Sequence, residues 1–134
     1  MITAEGYSKD PNLVPEAVVV TFGREMMDEQ GGPLQFLRFF ESWMDGGEGN
    51  YWLHKCKNRP QADIIHVYVI VMNRLYCRCY FGGYEKGKMV GSTADGRNKE
   101  FDWPRLILSG PIEKPRFKRT LKGFQGFRYA TSLF

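Results

Sequence analysis

Residues 64–81, with the sequence IIHVYVIVMNRLYCRCYF, decide the fold because they contain two consecutive runs of β-branched and aromatic residues. The runs 64–72 and 75–81 are separated by Asn73-Arg74, and a two-residue connection of this kind predicts a β-hairpin. In such a hairpin, residues directly opposite each other point to the same side of the sheet. The segment therefore predicts two faces of different composition.

The two predicted faces differ in polarity. On the second face Tyr76, Arg78 and Tyr80 stand opposite valines, and an arginine between two tyrosines predicts a surface that stays accessible to solvent. A connection with an odd number of residues would reverse the side chains of the second strand. The first face is nearly all apolar and is predicted to be core, with the opposite pairs Met72/Leu75, Ile70/Cys77, Tyr68/Cys79 and His66/Phe81.

Shorter strands are predicted on both sides of the hairpin. Residues 17–22 (AVVVTF) form a β-branched run that stops at Gly23, which is typical of a short buried strand. Residues 51–57 and residues 105–108 also have the composition of strands. The chain is therefore predicted to build a sheet around the hairpin.

One amphipathic helix is predicted at residues 34–45. It follows Pro33, and proline suits the first turn of a helix because its fixed backbone angle is already helical. Its apolar side chains recur with helical spacing, so that Phe36, Phe40 and Trp43 are predicted to pack onto the sheet.

The length and composition support a single domain over residues 1–134. A chain of 134 residues with 43% hydrophobic residues can bury one core and is too short for two good ones. One helix among several strands predicts an α+β fold, namely a small curled β-sheet or pseudo-barrel with one main helix packed against it. Residues 1–16 are predicted to be an extended lead-in, and the glycine-spaced polar residues 85–100 a mobile loop.

The sequence predicts a cytoplasmic protein without a membrane segment. No run of about 18 apolar residues occurs, and residues 1–6 (MITAEG) lack the features of a secretory signal. The three cysteines are few and odd in number, which favours a reducing compartment over a disulfide framework.

The charges are divided unevenly along the chain, although the net charge is only +4. The first 49 residues contain three cations and nine acids. In residues 105–134 a single acid, Glu113, opposes seven cations, and Phe117, Phe124, Phe127 and Tyr129 lie among them. Cations beside aromatic rings are typical of proteins that bind single-stranded nucleic acid or nucleobases. These cations are Arg105, Lys114, Arg116, Lys118, Arg119, Lys122 and Arg128.

The order of elements resembles the PUA-like superfamily, the ASCH and EVE domains in particular. The resemblance covers about residues 17–110 and depends on a strand, a helix, the Trp-bearing strand Tyr51-Trp52-Leu53 and the Pro60-x-x-Asp63 approach to a strong strand. It implies a small pseudo-barrel that binds RNA or modified nucleobases.

The candidate ligand-binding residues combine cations for phosphates with rings for bases. Gly123 and Gly126 flank part of this set and allow the backbone to approach a partner closely. The aromatic members have an alternative interpretation as core or as plugs that close the barrel. The candidates are Trp52, Tyr76, Arg78, Tyr80, Trp103, Arg105, Lys118, Arg119, Lys122, Phe124, Phe127 and Arg128.

Metal binding and catalysis have less support. A zinc site formed by His54, Cys56, Cys77 and Cys79 is an alternative, but residues two apart on a strand lie about 6 to 7 Å apart, too far to share one ion without a bulge. No metal and no other cofactor is predicted. No Walker, Rossmann or metalloprotease spacing occurs. Enzymatic activity is left open, and a binding role is favoured.

Two function classes follow. The first is a nucleic-acid or modified-nucleobase binding module that uses the basic, aromatic C-terminal surface. The alternative is a protein-interaction or inhibitory accessory protein, of the phage or mobile-element type, whose acidic N-terminal part meets a protein partner. Measuring binding at several salt concentrations distinguishes the two classes, because binding through phosphates weakens steeply as the salt concentration rises.

Overall fold

The computed structural model describes residues 7–8, 16–46, 50–61, 63–92 and 97–130. The described residues form two helices, α1 (Arg24–Glu29) and α2 (Pro33–Asp45). They also form nine strands: β1 (Tyr7–Ser8), β2 (Ala17–Phe22), β3 (Tyr51–Lys55), β4 (His66–Val71), β5 (Arg74–Glu85), β6 (Met89–Ser92), β7 (Asn98–Phe101), β8 (Arg105–Glu113) and β9 (Phe127–Ala130).

Seven of these strands form one curled sheet in the order β1-β9-β2-β4-β5-β8-β3. Strands β2 and β4 are parallel, and the other neighbouring pairs in the sheet are antiparallel. The remaining two strands, β6 and β7, pair with each other as a separate antiparallel ribbon. The molecule is therefore a small α+β fold that is mostly β, as the sequence predicts at this level.

Both faces of the central strands are covered. One face of β2 meets the helices through Val18, Val20 and Phe22, and the other face packs Val19 with Leu121 from the C-terminal segment. The AVVVTF run is buried at five of its six positions, as expected for a strand covered on both sides. This burial explains why a continuous apolar run, rather than an alternating one, occupies the centre of the sheet.

Helix α2 begins at Pro33, as predicted, and packs on the sheet through Phe36 and Phe40, which are fully buried. Both rings contact Phe22 of β2 edge-on, with centroid distances of 5.6 Å and 5.1 Å. The prediction for Trp43 is wrong, because its side chain is 41% exposed and Met44 is buried instead. The buried stripe follows the i, i+4, i+8 positions of the helix, and the i+7 position turns away from the sheet.

Helix α1 is absent from the sequence-based prediction. It has six residues, and of these only Met27 is buried. A helix this short carries too few apolar residues to show a helical period.

The predicted hairpin exists, but the predicted pairing of its two strands is wrong. Its connection is Met72-Asn73, whose φ angles of 48° and 61° are those of a primed two-residue turn. Val71 pairs with Arg74, and a shift between Val69 and Ile70 leaves Tyr76 without a partner in β4. The observed pairs are His66↔Tyr80, Val67↔Cys79, Tyr68↔Arg78, Val69↔Cys77, Ile70↔Leu75 and Val71↔Arg74.

The shifted register changes which side chains share a face. Ile70 and Leu75 are buried on the side of the C-terminal segment, whereas Cys77 and Cys79 are buried on the side of the helices. Met72, predicted to be core, lies at the turn and is 55% exposed. The cause is the bulge at Tyr76, since one extra residue in a strand reverses the side chains beyond it.

Residues 85–100, predicted to be a loop, contain strands β6 and β7 instead. Met89 pairs with Phe101 and Ser92 with Asn98, so the segment forms a two-stranded ribbon between β5 and β8. Of the predicted lead-in 1–16, only Tyr7, Ser8 and Glu16 lie within the described residues, and Tyr7–Ser8 pairs with β9.

The sheet extends beyond the prediction in two places. Strand β8 continues past residue 108 to Glu113, and β9 forms from the C-terminal segment. At Gly110 a Cβ atom would lie 1.9 Å from the main-chain oxygen of Met44, so glycine allows β8 to pass close to the end of α2. Within the described part of the chain, no helix is long and apolar enough to cross a membrane.

Candidate ligand-binding site

A cavity of about 610 Å³ lies between β3, the two helices and the ribbon of β6 and β7. This volume falls in the range of about 300 to 1,000 Å³ that is usual for small-molecule sites. All five residues of Tyr51–Lys55 line it. Side chains alternate between the two faces of a strand, so a cavity that touches every residue must border the strand's edge. Strand β3 is the last strand of the sheet, and its edge not paired with β8 therefore faces the cavity. We call this space the aromatic cavity.

Two stacked pairs of rings line the aromatic cavity from different elements. Phe39 and Trp43 of α2 stack with a centroid distance of 6.2 Å and an interplanar angle of 10°. Phe101 of β7 and the following Trp103 stack at 4.4 Å and 17°. Trp43, predicted to be core, instead contributes its ring to the lining of the cavity.

Trp52 joins the aromatic cavity to the core. Its ring is partly buried and meets Phe36 and Phe40 edge-on at 5.3 Å and 5.7 Å. Among the described residues, the indole N–H groups of Trp52 and Trp103 have no hydrogen-bond partner, and neither is fully buried. By contrast, the indole N–H of Trp43 donates to the main-chain oxygen of Tyr51 over 3.0 Å. Two indole donors therefore remain accessible.

Polar side chains are interspersed among the rings. Burial lowers the pKa of His54 to about 4, so this imidazole is neutral at neutral pH and can both donate and accept a hydrogen bond. Asn50 donates from Nδ2 to the main-chain oxygen of Trp43 over 2.9 Å. Lys55, Lys99 and Glu29 also line the cavity. The combination of flat apolar walls and a few polar groups suits a planar heterocycle.

Arg105 is a predicted ligand-binding residue, but the structure buries it to 3% exposure and places it outside the cavity lining. Its Nε donates to the carboxylate of Glu85 over 2.9 Å, and its Nη1 donates to the main-chain oxygens of Gly87 and Trp103 over 2.8 Å and 3.1 Å. Its guanidinium lies 5.1 Å from the ring centroid of Phe101. Arg105 therefore holds both ends of the ribbon and acts as a positioning residue.

Glycine at position 91 keeps the ribbon wall compact. A Cβ atom on Gly91 would lie 2.9 Å from Cε1 of Phe101, closer than side-chain contacts normally allow. The ring of Phe101 therefore rests against the backbone of β6, where it can stack on Trp103.

The predicted residues of β5 lie away from the aromatic cavity. Tyr76 donates a hydrogen bond to Glu41, which also forms an ion pair with Lys114. Burial, followed by the Glu41 carboxylate, raises the pKa of Tyr76. Arg78, expected to be accessible, has a side chain that is only 20% exposed and donates to Glu113 over 2.9 Å.

Tyr80 is the more accessible member of the β5 set. Its side chain is 39% exposed, and its ring lies 5.1 Å from that of His66. Burial, and then the positive charge of Arg78, lower the pKa of His66. These residues form a polar surface separate from the cavity.

The C-terminal candidates gather around a second, smaller cavity of about 330 Å³. Phe127 and Arg128 line it, and the guanidinium of Arg128 lies 4.6 Å from the ring centroid of Phe124. Phe124 itself packs partly against the core. Lys118 and Lys122 are exposed, and Arg119 is partly buried, with a main-chain oxygen that accepts a hydrogen bond from Leu75 over 2.8 Å.

The predicted ligand-binding residues therefore lie at separate places on the molecule rather than at one site. Trp52 and Trp103 meet at the aromatic cavity, and Phe127 and Arg128 at the smaller one. Sequence reasoning missed several members of the aromatic cavity. Phe101 carries a usable signal, because residues two apart on an extended chain share a face and Trp103 was already a candidate. The other missed side chains come together only in the folded chain; they include Phe39, Trp43, Asn50, Tyr51, His54, Lys55 and Lys99.

The three cysteine thiols are buried. Burial raises the pKa of Cys77 to about 12 and also raises those of Cys56 and Cys79, so all three are protonated at neutral pH. Within the described ranges, no three side chains of histidine, cysteine, aspartate or glutamate are grouped as metal ligands would be. The cysteines are thus placed as small core residues.

The chain was compared with protein-family models, curated proteins and solved structures. No family model, curated protein or solved structure matches it.

Proposed function

We propose that this protein binds a nucleobase, in single-stranded or modified nucleic acid, within the aromatic cavity. The observation that carries the proposal is the pair of stacked walls, Phe39 with Trp43 and Phe101 with Trp103, around a space of about 610 Å³. Flat rings bind bases by stacking, and each stacked base contributes about 1 to 3 kcal/mol. Trp52 adds a third aromatic surface.

The polar groups of the cavity supply the hydrogen bonds that stacking lacks. The indole N–H groups of Trp52 and Trp103 serve as donors toward a ring nitrogen or carbonyl of a base. The neutral imidazole of His54 both donates and accepts. A site built to hydrogen-bond a particular base edge rejects ligands that leave its polar groups unpaired, so these side chains supply selectivity.

Cations at the cavity favour a ligand with negative charge. Within the described residues, Lys55 and Lys99 line the cavity without forming an ion pair, and Glu29 is the single acid in the lining. A phosphate attached to a bound base would be attracted to these ammonium groups. Nucleic acid is therefore preferred to an uncharged aromatic ligand.

Fluorescence titration tests the proposal, because tryptophans line the cavity. Random single-stranded DNA and RNA oligonucleotides, with and without modified bases, are titrated at low salt into the intact protein and into the variant Trp103→Ala. We expect the variant to lose about 1 to 3 kcal/mol of binding free energy. Phe117→Ala is the matched control, because Phe117 is 83% exposed and lies outside both cavities.

A negative result is equally informative. If the intact protein binds no single-stranded or modified DNA or RNA at low salt, the nucleobase proposal is rejected. Equal losses in Trp103→Ala and Phe117→Ala would reject the cavity as the binding site.

The protein-interaction alternative is supported by the surface of the two helices. Glu25, Asp28 and Asp45 are exposed there, and α1 and α2 together carry more acids than bases. An acidic surface of this kind would meet a basic protein partner. Replacing these acids with amides would weaken such a partner's binding and leave nucleobase binding intact, which distinguishes the two functions.

A further inference from the structure

The smaller cavity differs in character from the aromatic one. Its volume of about 330 Å³ lies at the lower end of the range of about 300 to 1,000 Å³ that is usual for small-molecule sites, so it accommodates a group larger than a bound water. Among the described residues, its charged members are Lys57 and Arg128, and no acidic side chain lines it. Asn58 and Gln125 contribute amide groups. The lining is therefore positive and rich in hydrogen-bond donors.

Neither cation of the smaller cavity has an ion-pair partner in the part of the chain that the structure describes. Among the described residues, neither Lys57 nor Arg128 lies within ion-pair distance of a carboxylate. Arg128 differs in this respect from Arg78 and Arg105, which both pair with glutamates at 2.9 Å. A cation that lines a cavity without a carboxylate partner is available to an anion.

The contacts that position Arg128 are made with uncharged groups. Its guanidinium lies over the ring of Phe124, at 4.6 Å from the centroid. Its Nη1 also donates to the main-chain oxygen of Phe127 over 3.4 Å. A guanidinium presents several donors in one plane, a geometry that suits the oxygens of a phosphate.

The backbone beside Arg128 leaves the cavity open. Gly126 has a φ of 75°, a conformation that favours glycine, and a Cβ atom built there would meet nothing within 4 Å. Phe127 packs edge-on against Tyr129 at 5.3 Å, and the hydroxyl of Tyr129 accepts a hydrogen bond from the main-chain N–H of Gln61 over 2.8 Å. The contacts of Phe127 and Tyr129 thus fix one side of the smaller cavity, and no side chain obstructs it at Gly126.

The two cavities are lined by consecutive residues. His54 and Lys55 line the aromatic cavity, and Cys56, Lys57 and Asn58 line the smaller one. Consecutive Cα atoms are 3.8 Å apart, so the backbone passes directly from one lining to the other where β3 ends. Lys55 of the aromatic cavity is therefore followed directly in the chain by the residues that line the cationic cavity.

From this arrangement we infer that the smaller cavity binds a phosphate group of the nucleotide whose base occupies the aromatic cavity. The ligand class is then a phosphorylated nucleotide, free or within a strand, rather than a free nucleobase or nucleoside. Arg128 and Lys57 hold the phosphate, and the aromatic cavity holds the base. The inference rests on the proposed function and deepens it by naming a phosphate-binding subsite.

Ligand-observed NMR titration tests the inference, since it detects weak binding. The probes are the common nucleosides, their 5′- and 3′-monophosphates, short single-stranded oligonucleotides and inorganic phosphate alone. We expect at least one monophosphate or oligonucleotide to bind about tenfold or more tightly than the corresponding nucleoside, the increase that one charge-assisted hydrogen bond produces. Arg128→Gln and Lys57→Gln should remove most of that increase and leave nucleoside affinity unchanged.

Arg116→Gln is the matched control, because Arg116 is exposed, belongs to the same basic segment and lines neither cavity. An equal loss in Arg116→Gln would attribute the increase to overall charge and overturn the inference. Equal affinities for nucleosides and phosphorylated ligands would overturn it while leaving the proposed function intact. Binding of inorganic phosphate without any increase for nucleotides would overturn the link between the cavities. If no nucleoside, nucleotide or oligonucleotide binds, the proposed function fails and this inference fails with it.

Discussion

Arg105 and Glu85 are joined by a hydrogen bond of 2.9 Å between Nε and Oε1, although 20 positions separate them in the chain. Glu85 is the last residue of β5 and Arg105 the first of β8, so the pair closes the base of the ribbon that forms one wall of the aromatic cavity. The same guanidinium donates to the main-chain oxygen of Trp103. The ion pair therefore connects the stability of the fold to the shape of the cavity.

Replacing Arg105 with methionine should destabilise the protein by about 2 to 4 kcal/mol, because three hydrogen bonds are lost around a buried position. The Glu85 side chain is 42% exposed, so solvent limits the cost of leaving its charge unpaired. Urea-induced unfolding measures the change. We also expect weaker nucleobase binding, since the stacked pair Phe101–Trp103 loses its support.

Arg24→Met is the control for this substitution. Arg24 pairs with Asp28 at 3.1 Å, but both side chains are more than half exposed. Exposed pairs of this kind contribute about 0.3 to 0.5 kcal/mol. If the two variants lost equal stability, the role assigned to Arg105 would be wrong.

Phe40→Ala should cost about 3 to 5 kcal/mol, the usual range for truncating a buried aromatic ring. Phe40 is fully buried and contacts both Phe22 and Trp52. Thermal or urea unfolding measures the loss, and Phe117→Ala, at an 83% exposed position, should change stability little. A loss below about 1 kcal/mol in Phe40→Ala would contradict the packing of α2 on the sheet.

Met72→Gly should stabilise the protein by about 0.5 to 1 kcal/mol. Met72 has a φ of 48°, which costs a residue with a side chain about 1 to 2 kcal/mol, and part of this relief is offset by the flexibility of glycine in the unfolded chain. The side chain is 55% exposed, so little packing is lost. Urea unfolding measures the gain, and a destabilised variant would contradict the turn at Met72-Asn73.

Asn73→Gly provides the contrast at the neighbouring position. Asn73 has a φ of 61°, which asparagine tolerates, and its Oδ1 accepts a hydrogen bond from the main-chain N–H of Gly123 over 3.0 Å. Removing that acceptor should destabilise the protein by about 1 kcal/mol. The two glycine substitutions are thus expected to have opposite signs.

Stability should fall as the pH drops from 6.5 toward 4. Burial lowers the pKa of His54 from 6.5 to about 4, so in this range the unfolded chain binds a proton that the folded protein does not. Stability therefore rises with pH between these values, by up to about 1.4 kcal/mol per pH unit for this group. Burial and Arg78 also lower the pKa of His66, which adds a contribution of the same sign.

Urea unfolding at a series of pH values measures this dependence. His54→Gln should flatten the curve between pH 4 and 6.5, because the titrating group is removed. His66→Gln is the comparison variant, because it removes the other histidine whose pKa is lowered. A His54→Gln variant that keeps the full pH dependence would show that other groups cause it.

The sequence correctly predicts those strands and helices whose local residue pattern matches their burial in the fold. Ala17–Phe22 has the predicted bounds because a β-branched run suits a strand that is covered on both faces. The register of the hairpin depends on the bulge at Tyr76, and nothing in the local pattern marks that bulge. The ribbon forms from polar, glycine-containing residues, where strand formation depends on pairing between β6 and β7 rather than on propensity.

The residues of the candidate site also divide into those that the sequence predicts and those that only the folded chain brings together. Trp52 and Trp103 are candidates from their residue type alone, and both line the aromatic cavity. His54, Phe39 and Trp43 join them only because α2, β3 and the ribbon meet in the folded chain. Spacing within one segment cannot predict such a meeting, since the residues come from elements far apart in the sequence.

The last prediction separates phosphate contacts from base contacts. Lys55→Gln combined with Lys99→Gln should lower the slope of log affinity against log salt by about 1 to 2 units, because each lost phosphate contact on a single strand accounts for about 0.7 units. Trp103→Ala should reduce affinity by about 1 to 3 kcal/mol and leave the slope unchanged, since stacking releases no counterions. Lys118→Gln combined with Arg119→Gln tests the basic C-terminal segment in the same way.

Binding of an oligonucleotide at several salt concentrations gives all of these slopes. If Lys55 and Lys99 contact phosphates, their double variant changes the slope more than the Lys118 and Arg119 variant does, because they line the cavity that holds the base. The opposite order would move the interface from the aromatic cavity to the C-terminal surface that the sequence predicts. A slope near zero for the unmodified protein would exclude phosphate contacts and leave the free nucleobase as the ligand.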